Sequence, residues 1–307
     1  MMRGADTWAV AVRRPDGSIH CESHTIDSIA RRWPILRKPG LRGVIALGQA
    51  LVIGVRALTI SANHSVEDEE KLTGRQMAIS MAVAFAFFIG IFIVGPAVLF
   101  RFAQDQVRSS FLLNAAEGVF RVLLFLAYLL LIGRMRDIRR VFQYHGAEHK
   151  TIYAYENGDP LVPADIDSKY TTLHVRCGTN FLFIVLFLTI VAHFVVDLLA
   201  SGLVLRLAIR ILAIPLLAGF SYEVIKLASR NEDSLVFKAA MLPGLALQKI
   251  TTKPPTEDQI EIAIASFEEV RRREQESAAT GDGQAAAEGP LPMPADRPEA
   301  PHEPGDR

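Results

Sequence analysis

Residues 77–100 read MAISMAVAFAFFIGIFIVGPAVLF, an apolar run without a charged side chain. An α-helix rises about 1.5 Å per residue, so about 20 apolar residues cross the hydrocarbon core of a bilayer. This run is long enough to do so, although Gly95 and Pro96 interrupt it near its end. It therefore predicts a membrane-spanning helix, and the class of the protein follows from how many such runs the chain holds.

Three further runs have the same character. They carry a few ionisable residues, which are unfavourable inside a membrane unless they are paired. The four predicted spans cover residues 77–100, 111–132, 181–199 and 204–228. We therefore predict a mainly α-helical, polytopic membrane protein, with residues 43–253 as its membrane domain.

A shorter apolar run, residues 43–60, contains Gln49 and Arg56 and is only marginally long enough to cross. We predict an interfacial or buried helix for it instead. Lys and Arg are concentrated before residue 77 and in a His-rich loop at 133–179, and cytoplasmic loops carry such an excess. Four crossings then place the N-terminus, that loop and the C-terminus in the cytoplasm, with the chain as a multi-pass protein of the cell membrane.

The segments outside the spans predict small cytoplasmic elements. In residues 1–42, a Pro-Asp-Gly turn signal at 15–17 separates two alternating stretches, so we predict a β-hairpin followed by a basic segment. Residues 254–273 repeat apolar side chains at helical spacing behind a Thr-x-x-Gln capping pattern, which predicts an amphipathic C-terminal helix. Residues 274–307 are rich in Ala, Gly, Pro and Glu, and we predict a disordered tail.

The composition narrows the range of partners. Hydrophobic residues make up 50% of the chain and the formal net charge is zero, so no basic field predicts a nucleic-acid partner. Membrane lipid is the partner that the apolar runs imply, and an unknown substrate, a protein partner or a homo-oligomer stays open. The two cysteines, Cys21 and Cys177, lie far apart in different contexts, so a disulfide is not expected.

The segment at residues 144–150 reads YHGAEHK and holds two histidines and a carboxylate. If it is helical, His145 and His149 lie one turn apart on one face, where they can share a divalent metal. With Glu148 they form the pattern H-x-x-E-H, the inverted form of the zinc-peptidase helix. In that pattern the two histidines bind zinc and the glutamate is the general base.

A second pair of ligand-type residues follows in the same loop. His174-x-x-Cys177 has a two-ligand spacing that suits zinc or another transition metal. With His145 and His149 it supplies four nitrogen and sulfur donors, so we predict a divalent-metal site, with zinc favoured. Four protein ligands would make a closed, structural site, whereas three ligands and Glu148 as general base would make a hydrolytic one. The sequence leaves both alternatives open.

Other ionisable residues have weaker claims. Glu156, just after the H-x-x-E-H segment, and Glu223, in the last predicted span, each suit an extra ligand or a carboxylate that orients a histidine. Two charge pairs at i, i+4 lie inside the predicted spans, and we predict that the members of each contact each other rather than line a transport path. The pairs are Glu117 with Arg121 and His193 with Asp197.

Several of these motifs occur together and in order. They are MMRG at 1–4, the Pro-Asp-Gly turn at 15–17, HGAEHK at 145–150, HVRCGT at 174–179, SYE at 221–223 and LPGLALQ at 242–248. In this order they resemble the YqhQ family of bacterial multi-pass membrane proteins, whose members are commonly labelled predicted metal-dependent enzymes. The resemblance implies a metal site at His145, Glu148, His149, His174 and Cys177. In relatives a Gly-rich segment precedes the MMRG run, so we expect the sequence to start late.

Three functions are consistent with these features. The first is a membrane-embedded, metal-dependent enzyme with a cytoplasmic site, a hydrolase such as a peptidase or amidase, in which Glu148 moves the proton. The second is a non-enzymatic membrane scaffold or accessory factor whose metal only fixes the loop. The third is a small transporter that uses Glu117, Asp197 and Glu223. We rank the transporter last, because four spans without an internal repeat are few for that function.

Overall fold

The computed structural model describes residues 1–26, 29, 33–65, 73–103, 110–174, 177–200, 202–229 and 234–279. Over these residues the chain is mainly α-helical with a small N-terminal antiparallel sheet, which confirms the predicted fold class in its coarse form. The strands are β1 (Met2–Arg3), β2 (Thr7–Arg13) and β3 (Ile19–Thr25). The helices of the first half are α1 (Leu41–His64), α2 (Gly74–Ile89), α3 (Gly95–Ala103) and α4 (Ser110–Ile132). Those that follow are α5 (Arg136–Glu156), α6 (Pro163–Lys169), α7 (Gly178–Leu199), α8 (Leu203–Ser229), α9 (Leu235–Thr251) and α10 (Glu257–Ala279).

The N-terminal sheet has the order β1-β2-β3, and both pairings are antiparallel. β2 and β3 form a hairpin around the Pro-Asp-Gly turn, with Thr7 opposite Thr25 and Arg13 opposite Ile19. Gly17 turns the chain with a φ of 86°, a left-handed conformation that glycine adopts without strain. The sequence does not predict β1, because two residues are too few to show an alternating pattern.

Five helical stretches of the described chain are long and apolar enough to cross a membrane, judged by length and composition alone. They are Leu41–His64, Gly74–Phe102, Leu112–Ile132, Gly178–Val196 and Leu203–Leu227. The last four coincide with the four predicted spans, and a π-helical turn at Gly90–Val94 keeps the first of these continuous before Gly95. The remaining stretch is α1, which contains residues 43–60 and is longer than the interfacial helix predicted there.

α1 packs against two different parts of the molecule. Near its start Gly43 lies against α8, where a Cβ atom would come 2.6 Å from the carbonyl oxygen of Gly219. Its second half packs on the sheet instead, where Ile53 and Ala57 share an apolar cluster with Trp8 of β2. One side of the second half of α1 is therefore buried against the N-terminal sheet.

The sheet, α5, α6 and α10 form one compact unit, which we call the peripheral body (residues 1–26, 136–169 and 257–279). Its apolar core draws on all of these elements. The buried core residues are Met2, Ala9, Ala147, Ala154, Ile166, Ile260, Ala263, Ile264, Phe267 and Val270. The His-rich loop predicted at 133–179 is thus largely two helices, α5 and α6, that pack into this core.

The helix predicted at 254–273 is observed as α10, and its buried face is the apolar one. Gln259 Oε1 accepts a hydrogen bond from the backbone amide of Thr256 at 3.0 Å, as in a capping box. The helix continues to Ala279, supported by an Arg272–Glu276 ion pair one turn apart, so the disordered tail predicted at 274–307 begins too early. Residues 280–307 of that predicted tail lie outside the described residues.

The ion pair predicted inside the second span is confirmed. Arg121 Nη2 lies 2.5 Å from Glu117 Oε1, and Arg210 of α8 approaches the same oxygen at 2.9 Å. All three side chains are buried, so the carboxylate and the guanidiniums stabilise one another where water is scarce. The pairing predicted for His193 and Asp197 involves the side chain of Asp197, which lies outside the part of the molecule that the structure describes.

Candidate metal centre

α5 brings together the two histidines of the H-x-x-E-H segment. The segment is helical, and the ring centroids of His145 and His149 lie 4.4 Å apart on one face of the helix. Gly146 lets α5 approach the chain that follows α9, because a Cβ atom at Gly146 would lie 2.3 Å from the carbonyl oxygen of Lys253. The backbone amide of Lys253 in turn donates to the carbonyl of Phe142 at 2.9 Å. The histidine face of α5 is thus held against the end of α9.

Cys177 completes a three-donor group with these histidines. Its Sγ lies 3.2 Å from His145 Nε2, and the ligand atoms of His145, His149 and Cys177 all lie within 4.8 Å of one another. Cys177 is the N-cap residue of α7, and the backbone amide of Thr179 donates to its sulfur at 3.4 Å. A helix N-terminus favours negative charge, so this position stabilises a thiolate.

Backbone carbonyls fix the orientation of both imidazoles. His145 Nδ1 lies 3.1 Å from the carbonyl oxygen of Thr251, and His149 Nδ1 lies 2.5 Å from that of Thr172. A carbonyl oxygen only accepts hydrogen bonds, so each Nδ1 carries a proton and each neutral ring keeps its lone pair on Nε2. Histidines that bind metals in proteins are held in the same way by a partner at their other nitrogen.

The dimensions of the group suit zinc. Zinc–nitrogen bonds of about 2.0–2.1 Å and zinc–sulfur bonds of about 2.3 Å at tetrahedral angles place neighbouring ligand atoms about 3.3–3.6 Å apart. The 3.2 Å between His145 Nε2 and Cys177 Sγ is close to that spacing, and the 4.8 Å limit of the group leaves only small side-chain rotations to make. Two imidazoles and a thiolate are also a donor set that Zn²⁺ prefers.

His174 lies beside this group without joining it. Its ring centroid is 5.6 Å from that of His149, and its Nε2 lies 3.6 Å from Glu156 Oε2. The side chain of Gln248 holds the backbone of His174 through two hydrogen bonds of 2.8 Å. The backbone amide of His174 donates to Gln248 Oε1, and Gln248 Nε2 donates to the backbone carbonyl of His174. The sequence predicts four donors, whereas the structure brings three together and places the fourth next to Glu156.

The thiol and the imidazole beside it perturb each other. Burial raises the pKa of the Cys177 thiol, but hydrogen bonds from His145 and His149 outweigh burial and lower that pKa to about 5. Burial lowers the pKa of His145, whereas its hydrogen bond and charge interaction with Cys177 raise it to about 9. Cys177 is therefore a thiolate near neutral pH, the form that binds a metal.

Glu148 lies at the edge of a cleft. Together with His145 it lines a cleft of about 480 Å³ between the sheet, α1, α5 and α10. Its Oε1 accepts a hydrogen bond from the amino group of Met1 at 2.6 Å, and its side chain is 25% exposed. The walls of the cleft are mixed, with apolar residues of α1 such as Leu58 facing charged residues of α5 such as Arg140.

Glu223 lies away from the histidines. Its two carboxylate oxygens contact the guanidinium of Arg42, and the backbone amide of Gly40 donates to Oε1 at 3.2 Å. These contacts tie the start of α1 to α8 and balance a carboxylate in an apolar helix. Among the described residues, the proposed extra ligand is thus placed with Arg42 rather than with the three donors.

Three residues that shape the site are absent from the sequence prediction. Thr172 and Thr251 act through backbone carbonyls, and no side-chain pattern reveals such a role. Gln248 is different, because it ends the LPGLALQ motif at 242–248. That motif marks the residue, but only the fold places its amide against the backbone of His174.

The fold and the donor group define a class: a mainly helical chain with several apolar helices of spanning length and a peripheral body that carries a His/Cys cluster. A family model described as "Protein of unknown function (DUF1385)" matches residues 38–273. The chain is also 35% identical over 293 residues to "Uncharacterized protein YqhQ" of Bacillus subtilis (strain 168). The matched region covers 89% of this chain and 90% of that protein. The chain therefore belongs to the YqhQ (DUF1385) family, as the order of its motifs predicts. No solved structure matches it.

Proposed function

We propose that this protein is a membrane-embedded, metal-dependent hydrolase that cleaves a peptide or amide bond, with zinc as the favoured metal. The observation that supports it most directly is the three-donor group of His145, His149 and Cys177 next to a cleft lined by Glu148. Three protein ligands leave a coordination position open, which distinguishes catalytic zinc sites from structural ones.

Each residue of the group has a role in this proposal. Bound zinc would act as a Lewis acid that polarises a carbonyl and makes water more acidic. His145 and His149 would hold it through Nε2, and Cys177 through its thiolate. Glu148, exposed to the cleft, would accept a proton from water and return it to the leaving group, which typically contributes about 10²–10⁴-fold in rate.

The peripheral body supports a particular membrane topology. Its three parts share one core, so they lie on one side of a membrane, and the chain must cross an even number of times between them. Two apolar helices, α7 and α8, lie between its second and third parts, whereas α1, the α2–α3 helix and α4 lie between the first and second. α1 is the one that packs on the sheet, so we propose that it does not cross and that four spans remain.

The Lys and Arg distribution then assigns the peripheral body and both termini to the cytoplasm. Cysteine labelling tests this assignment, with Ser65→Cys at the end of α1 and Glu268→Cys on the exposed face of α10. Both should resist a membrane-impermeant maleimide in intact cells and react in inside-out vesicles. Labelling of Ser65→Cys from outside would mean that α1 crosses, and labelling of Glu268→Cys from outside would reverse the topology.

The cleft also suggests a class of substrate. One wall is α1, whose apolar residues continue towards the proposed membrane surface, and the opposite wall carries Asp137 and Arg140 of α5. Such a cleft suits a polar peptide or amide group attached to an apolar, membrane-anchored part. We therefore propose a substrate that reaches the site from the membrane rather than a freely soluble one.

Metal content and a cell assay test the hydrolase proposal together. Purified wild type and Glu148→Gln should carry the same amount of zinc, including about one equivalent at this group, because Glu148 is not a ligand in this proposal. His149→Ala should carry about one equivalent less. In a strain that lacks the chromosomal gene, wild type should restore the wild-type phenotype, whereas Glu148→Gln should not. Zinc-free wild-type protein, or full rescue by Glu148→Gln, would overturn the enzymatic assignment.

A structural metal in a membrane scaffold is the second candidate function. The position of His174, with its ring 5.6 Å from that of His149, favours it, because a side-chain rotation would bring a fourth donor towards the group. In that case Glu148→Gln retains function, and His145→Ala destabilises the protein rather than only inactivating it. The transporter alternative stays third. Among the described residues Glu117 contacts Arg121 and Arg210, and Glu223 contacts Arg42, so these two carboxylates are ion-paired.

A further inference from the structure

A second cluster of histidines lies on the opposite face of the sheet from α10. His20, Glu22 and His24 alternate along β3, so their side chains share one face of the strand. In the register of the sheet they stand opposite Val12, Val10 and Trp8, the residues that pack on α1. The other face of β3 turns to α10, where Ser23 Oγ donates to Glu269 at 2.6 Å.

The C-terminal end of α1 closes this cluster. His64 is the last residue of the helix, and its ring centroid lies 4.2 Å from that of His20. Ligand atoms of His20, Glu22 and His64 lie within 4.8 Å of one another, and His20 Nε2 is 3.8 Å from Glu22 Oε2. His24 Nε2 lies 2.8 Å from the other carboxylate oxygen of Glu22. Three donors from two elements thus meet at one point.

We propose that His20, Glu22 and His64 form a second site, for a divalent transition-metal ion, that ties the end of α1 to β3. Two imidazoles and one carboxylate suit a borderline ion such as Zn²⁺, Co²⁺ or Fe²⁺ better than Mg²⁺ or Ca²⁺, which take oxygen donors. The C-terminus of a helix carries partial negative charge, so the end of α1 also favours a cation there. This site has no thiolate, which distinguishes it from the group at Cys177.

The site is partly exposed and lies next to the cleft. The side chains of His20 and Glu22 are 27% and 36% exposed, so an ion can enter and leave from solvent. α1 supplies one wall of the cleft that contains Glu148, including Ala57 and Ser61. An ion bound at the end of α1 would restrain that wall, so the site is suited to couple metal supply to the shape of the cleft.

Arg14 gives the proposal a distinctive consequence. Its Nη2 lies 3.1 Å from His20 Nδ1, and a guanidinium only donates, so Nδ1 accepts and the neutral ring carries its proton on Nε2. A metal at Nε2 needs that proton to move to Nδ1, which breaks the contact with Arg14. Arg14 therefore competes with the ion, both through this hydrogen bond and through its charge.

Cobalt binding to the full-length protein in detergent tests the site, independently of the hydrolase proposal. The background is His149→Gln with Cys177→Ser, which removes the first group and its thiolate. Metal-stripped protein of this background should bind about one equivalent of Co²⁺, with ligand-field absorption bands but no sulfur charge-transfer band. Adding His64→Gln or Glu22→Gln should weaken binding by about 100-fold or more, since loss of even an outer partner weakens metal sites about 10–100-fold.

His24→Gln is the matched control, because it removes an imidazole from the same face without removing a proposed ligand. His24→Gln should still bind one equivalent of Co²⁺, with an affinity within about 10-fold of that of the background protein. Arg14→Gln should tighten binding by about threefold or more, because it removes a nearby positive charge. Size-exclusion profiles and thermal unfolding check that each variant is folded. Unchanged Co²⁺ affinity in both His64→Gln and Glu22→Gln, or weaker binding in Arg14→Gln, would overturn the assignment.

Discussion

Gly146→Ala tests whether the approach of α5 to the end of α9 organises the candidate metal centre. A Cβ atom at this position would lie 2.3 Å from the carbonyl oxygen of Lys253 and 3.1 Å from Thr172 Cγ2. The first neighbour is backbone and has no rotamer that relieves the clash. To reach an ordinary contact of about 3.4 Å, α5 and this segment must separate by about 1 Å.

That separation lowers the free energy of unfolding, because it breaks contacts that the structure shows. The Lys253–Phe142 hydrogen bond lengthens from 2.9 Å, and the contact of His145 Nδ1 with Thr251 from 3.1 Å, both beyond hydrogen-bond range. Overpacking of this kind costs about 1–3 kcal/mol, and each of the two lost hydrogen bonds costs about 1 kcal/mol more. The alanine recovers about 0.5–1 kcal/mol through its helix propensity. We expect a net destabilisation of about 2–4 kcal/mol.

Thermal unfolding and zinc affinity of the purified variant measure both consequences. Zinc affinity should fall by about 10–100-fold, because the carbonyl that orients His145 has moved. Gly48→Ala is the matched control: Gly48 is also a helical glycine, but a Cβ atom there meets nothing within 4 Å. It should be neutral or slightly stabilising and leave the metal affinity unchanged. If Gly146→Ala behaves like Gly48→Ala in both measurements, α5 does not depend on this close approach.

Three further predictions concern single side chains. In metal-free protein, alkylation of Cys177 should stay fast down to about pH 5, because the pKa of its thiol is lowered, whereas Cys21, whose pKa burial raises, should react only at alkaline pH. The lowered pKa also means that the contribution of the Cys177 thiolate to stability is present at high pH and is lost as the pH falls through about 5. Matching pH profiles of alkylation for the two thiols would contradict the pairing of Cys177 with His145. Glu117→Ala removes the carboxylate between two buried guanidiniums and should destabilise the protein by about 3–5 kcal/mol, against a change within about 0.5 kcal/mol for the exposed Glu276→Ala, as measured by thermal unfolding. Gln248→Leu removes two buried hydrogen bonds to backbone and should cost about 2–4 kcal/mol in the same assay, so a loss below about 0.5 kcal/mol would mean that the amide is dispensable.

Periodicity and length were enough to predict the long apolar helices, because hydropathy depends only on local composition. They also predicted the apolar face of α10, from Ile260 to Val270. The peripheral body was beyond such reasoning, since the contact of Ala9 with the core of α10 joins residues at opposite ends of the chain. For the same reason α1 was ambiguous: its composition permits a crossing, and only its packing on Trp8 argues against one.

In the candidate site, too, local spacing predicted some of the arrangement, and long-range contacts decided the rest. The i, i+4 spacing of His145 and His149 implied a shared face, and the helix delivers it. The loop spacing of His174 and Cys177 implied two ligands, yet only the thiol reaches the pair. The reason is that Cys177 caps α7, whereas the backbone of His174 is fixed by Gln248, more than seventy residues downstream, a contact that no local pattern contains.

The donors of the candidate metal centre come from two parts of the molecule. His145 and His149 belong to the peripheral body, whereas Cys177 directly precedes the apolar helix α7. A metal bound there would join the peripheral body to the apolar helices, and a ligand present at 100 times its Kd stabilises the state that binds it by about 2.7 kcal/mol. Metal removal should therefore loosen this junction in an enzyme and in a scaffold alike. Loss of stability on chelation does not separate the two functions, and the decision rests on Glu148, which lines the cleft and is not one of the proposed ligands.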